Sequence, residues 1–241
     1  MQYSFKPTLF LSFFCLILFT ALFSLGLWQI DRASEKKALK AVIDSRIQEP
    51  ARSLNESQDE LQAHRQANAK GKFISEDEFL LDNIIHQGKP GYYIISPFEI
   101  ADTKAIILVN RGWIPQNRDR KILPDIPHPL KKNEIEGVLV KPRSKPVILG
   151  SIDHPISETP PLWYYMDTKV FEQVNKYKVL PLVLRLKPSK KSSLVRKWPK
   201  FEAKSGMHIG YAIQWFVFAL FVLIAYSSLS IKKNNKGSLH D

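Results

Sequence analysis

Two long apolar runs bracket this chain. Residues 8–27, TLFLSFFCLILFTALFSLGL, hold no charge over twenty positions, and residues 209–231, IGYAIQWFVFALFVLIAYSSLSI, hold none over twenty-three. A helix rises 1.5 Å per residue, so roughly 20 apolar residues cross a bilayer, and both runs predict transmembrane helices. The first is longer than the roughly 7–15-residue core of a signal peptide and no A-x-A pattern follows it, so it reads as an uncleaved anchor.

Between the runs the pattern changes twice. Residues 31–48 mix strong helix formers with Leu39, Val42, Ile43 and Ile47 at steps of three and four, which predicts that the first helix continues beyond the membrane as an amphipathic stalk. The polar stretch EPARSLNESQDE (49–60) predicts a linker or short turn. From residue 66 short apolar runs alternate with Gly, Pro and Asp, and predict strands over 66–74, 78–85, 92–98, 105–113, 134–140 and 179–186. HQGKPG (86–91) and EIADTK (99–104) are short enough for hairpin turns. Pro115, Pro124, Pro127 and Pro129 exclude a helix from 115–132 and predict an ordered loop; residues 168–177, TKVFEQVNKY, predict the one helix of this region. Hairpin connections with a single late helix predict an α+β membrane protein: two transmembrane helices flanking a mainly antiparallel β domain, either a sheet or a small barrel. The expected organisation is a transmembrane helix in 1–30, stalk and linker in 31–65, a β-rich domain in 66–205, a second span in 206–231 and a basic tail in 232–241.

Charge changes the picture only slightly. Residues 31–205 carry 31 Lys and Arg against 22 Asp and Glu, an excess that in a soluble chain would suggest nucleic acid. Its densest part, KPSKKSSLVRKWPK (187–200), precedes a span, where basic residues meet anionic lipid headgroups or simply stay solvated; no nucleic-acid partner is expected. Two spans put both termini on one side. Arg32, Lys36, Lys37 and Lys40 after the first span outnumber Lys6 before it, but long domains translocate largely regardless of charge, so charge leaves the orientation open. Cys15 is the only cysteine and lies within the first run, which excludes an intramolecular disulfide, a CxxC redox pair and a thiolate cluster. The six histidines show no metal-site spacing, so no copper or zinc site is expected. Nucleophile-elbow, phosphate-loop, dinucleotide and zinc-helix motifs are all missing, and no enzyme activity is expected.

Three stretches taken in order, LGLWQIDR (25–32), LLDNIIHQGKPGYYIISPF (80–98) with ILVNRGWIP (107–115), and HIGYAIQWFVFA (208–219), set between two spans, resemble the Surfeit locus protein one family of cytochrome c oxidase assembly factors. The resemblance runs through nearly the whole chain, with little contributed by 49–65, 116–132 and the tail after 231. It implies a multi-pass protein of the cell inner (cytoplasmic) membrane, with a periplasmic domain and both termini cytoplasmic. It also implies a respiratory-chain chaperone that binds haem a transiently, its partners being the cytochrome c oxidase core subunit and other assembly factors. By that similarity His208 is the haem-iron ligand. Met207 beside it departs from the polar residue common in the family, and adjacent helix positions point about 100° apart, so the two cannot ligate one iron together.

The residues themselves support a pocket at the outer ends of the two spans. Trp28 and Gln29 close the first span and His208 opens the second, at one depth if the helices cross together. His208, Tyr211, Trp215, Phe218 or Ala219, and Val222 recur at steps of three and four and would form one face. Gln214 lies about 9 Å deeper than His208, which is costly unless the side chain has a partner or a task. The expected roles are His208 on the haem iron, Tyr211, Trp215 and Trp28 against the porphyrin, Gln29 or Gln214 donating to the formyl oxygen, and Arg32 or Arg111 neutralising propionates. Each role has a structural counterpart. His, Tyr and Trp at a span end form an interfacial belt, Tyr211 and Trp215 can simply pack between helices, and Trp28 and Arg32 can anchor and snorkel. In NRGW (110–113), Gly112 can permit a turn or bulge that leaves Trp113 over the core edge. The functional alternative to haem transfer is a cofactor-free membrane scaffold that stabilises oxidase assembly intermediates.

Overall fold

A computed structural model describes residues 2–129, 133–142, 161–190 and 192–234. The chain divides into two units, one formed by Met1–Val42 and Phe201–Asp241 and the other by Ile43–Lys200. The basic tail beyond 234 lies outside the described residues.

The first unit is a pair of long helices, α1 (Leu9–Gln48) and α3 (Ser205–Ser230). Thr8 starts α1, its Oγ1 accepting from Leu11 N, and Pro50 explains the end, because the residue before proline is pushed out of the helical region. The unbroken helix includes the expected stalk. Both α1 and α3 are long and apolar enough to cross a membrane; the 26 residues of α3 reach about 39 Å at 1.5 Å each. Large apolar side chains stand exposed on both, among them Phe10, Phe13, Ile17, Ile213, Phe221 and Ile224, a surface that water would not tolerate and lipid solvates. The helices run antiparallel, and their other ends are tied by a ribbon that the alternation of residues did not announce. In it β1 (Gln2–Phe5) pairs antiparallel with β10 (Ile231–Asn234), Phe5 opposite Ile231. Beside it, Ser12 Oγ and Tyr226 Oη lie 2.9 Å apart.

The second unit is a β structure built around a closed ring of five strands: β3 (Gln66–Phe73), β7 (Glu134–Val140), β9 (Val179–Leu186), β6 (Ile106–Pro115) and β5 (Lys89–Ile100). The ring closes because β3 changes partner along its length, Gln66–Lys70 pairing with β7 and Gly71–Phe73 with β5. Glycine is needed at the switch: a Cβ on Gly71 would lie 1.9 Å from the Glu99 carbonyl oxygen. Thus the barrel form is the one adopted, and it is mainly antiparallel as expected, with β6 and β9 running parallel. All six expected strands are present. Two short parallel additions lie outside the expectation, β2 (Arg52–Ser53) on β3 and β8 (Leu162–Trp163) on β4 (Phe79–His86). The stretch 49–60 is therefore more than a linker, since it carries β2 and sends Leu54, fully buried, into the core.

Period-2 alternation fills the barrel with Ala67, Ala69, Phe98, Ile107, Val109, Ile135, Leu139 and the even-numbered leucines of β9. The outward-facing set Leu81, Leu108, Val183 and Trp113 packs with Phe171 of α2 (Thr168–Asn175) into a second cluster. Asp167 caps α2, its carboxylate accepting from Lys169 N and Val170 N. The β4–β5 hairpin turns at Gln87 and Gly88, both at positive φ (50° and 77°), as a two-residue turn of matching twist requires. Residues 116–129 form no regular element; Leu123 and Ile126 from this loop cover Leu80, Tyr92 and Ile94.

Candidate functional site

The antiparallel helix pair brings Gln29 and His208, 179 positions apart in the chain, into contact: His208 Nδ1 lies 2.8 Å from Gln29 Oε1. An amide oxygen can only accept, so a hydrogen bond at this contact uses Nδ1–H and leaves Nε2 outside it. The contact follows from the way the two helices mesh. A seam of buried and half-buried positions runs through Cys15, Phe19, Leu22, Gly26, Gln29 and Ala33 on α1 and through His208, Ala212, Trp215, Ala219, Val222 and Tyr226 on α3. Both sets alternate steps of three and four, the signature of a left-handed, closely aligned pair. Small residues let the backbones approach: Ala33, Ala212 and Ala219 are buried, and a Cβ on Gly26 would lie 2.5 Å from the Phe216 ring.

This seam differs from the face expected for α3. Ala212 takes the place of Tyr211, and Tyr211 is 47% exposed and Phe218 40%; Gln214 is also exposed. At 100° per residue these three positions all turn to one flank of the seam. Phe216, on the opposite flank, packs on Phe23 of α1 with ring centroids 5.2 Å apart, which settles how the two helical wheels are paired. Trp28 and Arg32 point away from Phe23 on α1, so they share the flank of Tyr211, Gln214 and Phe218. Trp28 is half exposed, with the Arg32 guanidinium 5.7 Å above its ring, and Arg32 also donates to Glu35 at 2.8 Å across an exposed pair. Trp215 is half-buried and meets Phe218 edge to face. Seven of the eight expected site residues therefore lie in this helix pair, with His208, Gln29 and Trp215 along the seam and the other four on one flank.

Arg111, expected to neutralise a propionate, lies in the second unit. It is 4% exposed at the end of the barrel, where Nη1 donates to Glu78 Oε1 at 2.8 Å and Nη2 to the Pro127 carbonyl. Ser96 Oγ donates to the same Glu78 oxygen at 2.7 Å. The guanidinium is already committed to an internal carboxylate. Burial raises the Glu78 carboxyl above its ordinary value, against the opposing pull of Ser96 and Arg111, and burial likewise lowers Arg111, against Glu78. The backbone explains the placement. β5 and β6 slip register where Ile94 faces Gly112 and Ile95 faces Asn110, leaving Arg111 as the extra residue of a bulge. Gly112 adopts φ 140° there. Past the bulge the alternation inverts, so Arg111 points into the barrel and Trp113 outward, where its indole N–H donates to the Ile84 carbonyl at 3.1 Å. NRGW is thus a structural motif. A cleft of about 870 Å³ opens beside it, but the cations along its wall are engaged, Lys187 with Glu136 and Arg196 with the carbonyls of Arg111 and Lys187.

The family model for the SURF1 family matches residues 16–220, from within α1 to within α3. The chain belongs to the SURF1 family. A SURF1-like protein of Rickettsia felis is 30% identical over 217 residues, which is 88% of this chain and 92% of that one. A Saccharomyces cerevisiae relative described as a cytochrome oxidase assembly protein, SHY1, is 30% identical over 107 residues (43% of this chain and 27% of that one). Surfeit locus protein 1 of Rattus norvegicus is 28% identical over 125 residues (45% and 41%). In this SURF1-family chain the matched region includes most of both helices of the seam and the whole β unit. Sequence inspection missed Gly26, Ala212 and Ala219 as the residues that set the helix approach. Their signal was the recurrence of small residues at seven-residue spacing, which becomes informative once the partner helix is known.

Proposed function

We propose that this SURF1-family protein is a membrane-anchored, non-enzymatic assembly factor for haem–copper cytochrome c oxidase that binds haem a and hands it to the oxidase core subunit. The observation that carries the reading is the His208–Gln29 contact, which engages Nδ1 and leaves Nε2, the nitrogen farther from the backbone, outside it, where the apolar stretches of the two helices end. As cargo, haem a presents a ferric iron with an axial position, an apolar macrocycle, a formyl oxygen and two propionates.

The donors of this chain suit that molecule. His208 provides one neutral imidazole, which holds iron singly and so exchangeably. Trp28 and Tyr211 offer ring surface along one flank, Trp215 adds its ring from the seam, and Gln214 sits deeper on that flank as a donor for the formyl oxygen. Arg32 stands beyond Gln29 towards the polar end of the helix, and its pair with Glu35 is exposed on both sides (48% and 63%), so exchanging Glu35 for a propionate costs little. Ligation by a single residue fits a carrier, since release then requires breaking one metal bond. The proposed setting is the cytoplasmic membrane of a bacterium, with both termini in the cytoplasm, the β unit in the periplasm, and the oxidase core subunit and other assembly factors as partners. Antiparallel helices joined by a terminal ribbon support termini on a common side.

Purification from cells that make haem a, followed by visible spectroscopy of wild type and His208→Ala, tests the proposal. A haem spectrum in wild type that is lost in a folded His208→Ala variant is expected. A colourless wild type from cells rich in haem a would favour the cofactor-free scaffold, and unchanged occupancy in the variant would remove His208 from the site. A reporter fused after residue 241 should be active only in the cytoplasm.

A further inference from the structure

We infer that Gln29 is a positioning residue: its side-chain oxygen selects the His208 tautomer whose Nε2 can ligate iron, and its neutrality keeps that ligation exchangeable. The inference rests on the haem reading for its consequence, while the tautomer selection stands on the helix geometry alone.

A neutral imidazole carries its proton on either ring nitrogen, and the partner of one nitrogen decides which. Here the partner comes from another helix, 179 positions away, at 2.8 Å. It is held there by packing on both sides of it in the seam. Gly26, one turn before Gln29, touches Phe216, and Ala33, one turn after, is buried. The ring therefore has a fixed plane and a fixed proton before any ligand arrives, and no reorganisation is needed when iron meets Nε2. The chemistry of the acceptor also matters. Metal-binding histidines that donate to a carboxylate acquire imidazolate character and become stronger donors. Gln29 carries no charge, so it orients the ring with little added basicity. An enzyme that keeps its metal gains from the carboxylate; a protein that must give up its haem gains from the amide. Glu35, further along α1, is engaged by Arg32 on the exposed side of that helix.

The test uses full-length protein in lipid nanodiscs, labelled with ¹⁵N-histidine, with the His208 signal assigned by its loss in His208→Ala. In the haem-free wild type the shifts should show the tautomer protonated on Nδ1. In Gln29→Leu that preference should disappear, and titration with haem a should show about 10- to 100-fold weaker binding, the usual cost of removing such a partner. Gln29→Glu, which restores an acceptor oxygen, should recover the binding. Its haem a should dissociate more slowly than from wild type. Protonation of His208 on Nε2 in haem-free wild type, or equal binding by wild type and Gln29→Leu, would overturn the inference. Failure of wild type to take up haem a, with the Nδ1-protonated tautomer in place, would instead overturn the haem function and leave the positioning contact standing.

Discussion

Replacing Arg111 by Leu should be among the most destabilising single changes in the β unit, and its cost should depend on pH in a direction the structure dictates. Arg111 and Glu78 expose 5% and 7% of their side chains. Removing one partner of such a pair costs about 3–5 kcal/mol, mostly because the other charge remains buried without compensation. Here the loss also strips the Pro127 carbonyl of its donor. Burial already raises the Glu78 carboxyl, and Ser96 and Arg111 pull it down; without Arg111 it rises further. A carboxyl whose folded value lies above the unfolded one binds more protons when folded, so stability falls as pH rises from the unfolded towards the folded value. The penalty of Arg111→Leu should therefore be smaller at pH 5 than at pH 8, because acid favours the neutral form of the Glu78 carboxyl. The assay is denaturant unfolding of the full-length protein in detergent, followed by near-UV circular dichroism at both pH values. The double variant Arg111→Leu with Glu78→Leu should recover much of the loss, since an apolar pair can replace a buried ion pair at little cost. Equal penalties at pH 5 and pH 8, with no recovery in the double variant, would mean that Arg111 contributes packing alone.

Gly26→Val should force the helices apart, because its Cβ would meet the Phe216 ring at 2.5 Å. A loss of about 1–3 kcal/mol is expected by thermal unfolding, partly recovered by adding Phe216→Ala. Asp167→Ala removes the acceptor for Lys169 N and Val170 N and should cost about 0.5–2 kcal/mol in chemical denaturation. Tyr177 donates to Asp77 Oδ2 at 2.6 Å, and this bond, followed by burial, pushes its phenol up to about 12. Ultraviolet titration of wild type minus Tyr177→Phe should place the step there, and Asp77→Asn should return it towards 10. The stability that this contact adds should be lost as pH rises from the ordinary tyrosine range through 12.

The local elements were legible because each depends on neighbours in the chain. Uninterrupted apolar runs marked α1 and α3, alternation marked the six strands, and Gln87-Gly88 and the prolines of 115–132 marked a hairpin and a loop, since backbone conformation and burial period act over a few residues. The same local signals placed Gln29 and His208 at the ends of the apolar spans. What they could not reveal was which surfaces meet. The alternation in β3 is the same whether its last three residues pair with β5 or extend β7, and only closure of the ring decides it. Two residues that pair across 33 positions, such as Glu78 and Arg111, carry no mark of one another in the sequence. On α3 a face drawn through Tyr211 and one drawn through Ala212 fit the same steps of three and four. The choice between them fell to the partner helix, whose Gly26 admits Phe216 and thereby turns Tyr211 to the flank and sets His208 against Gln29.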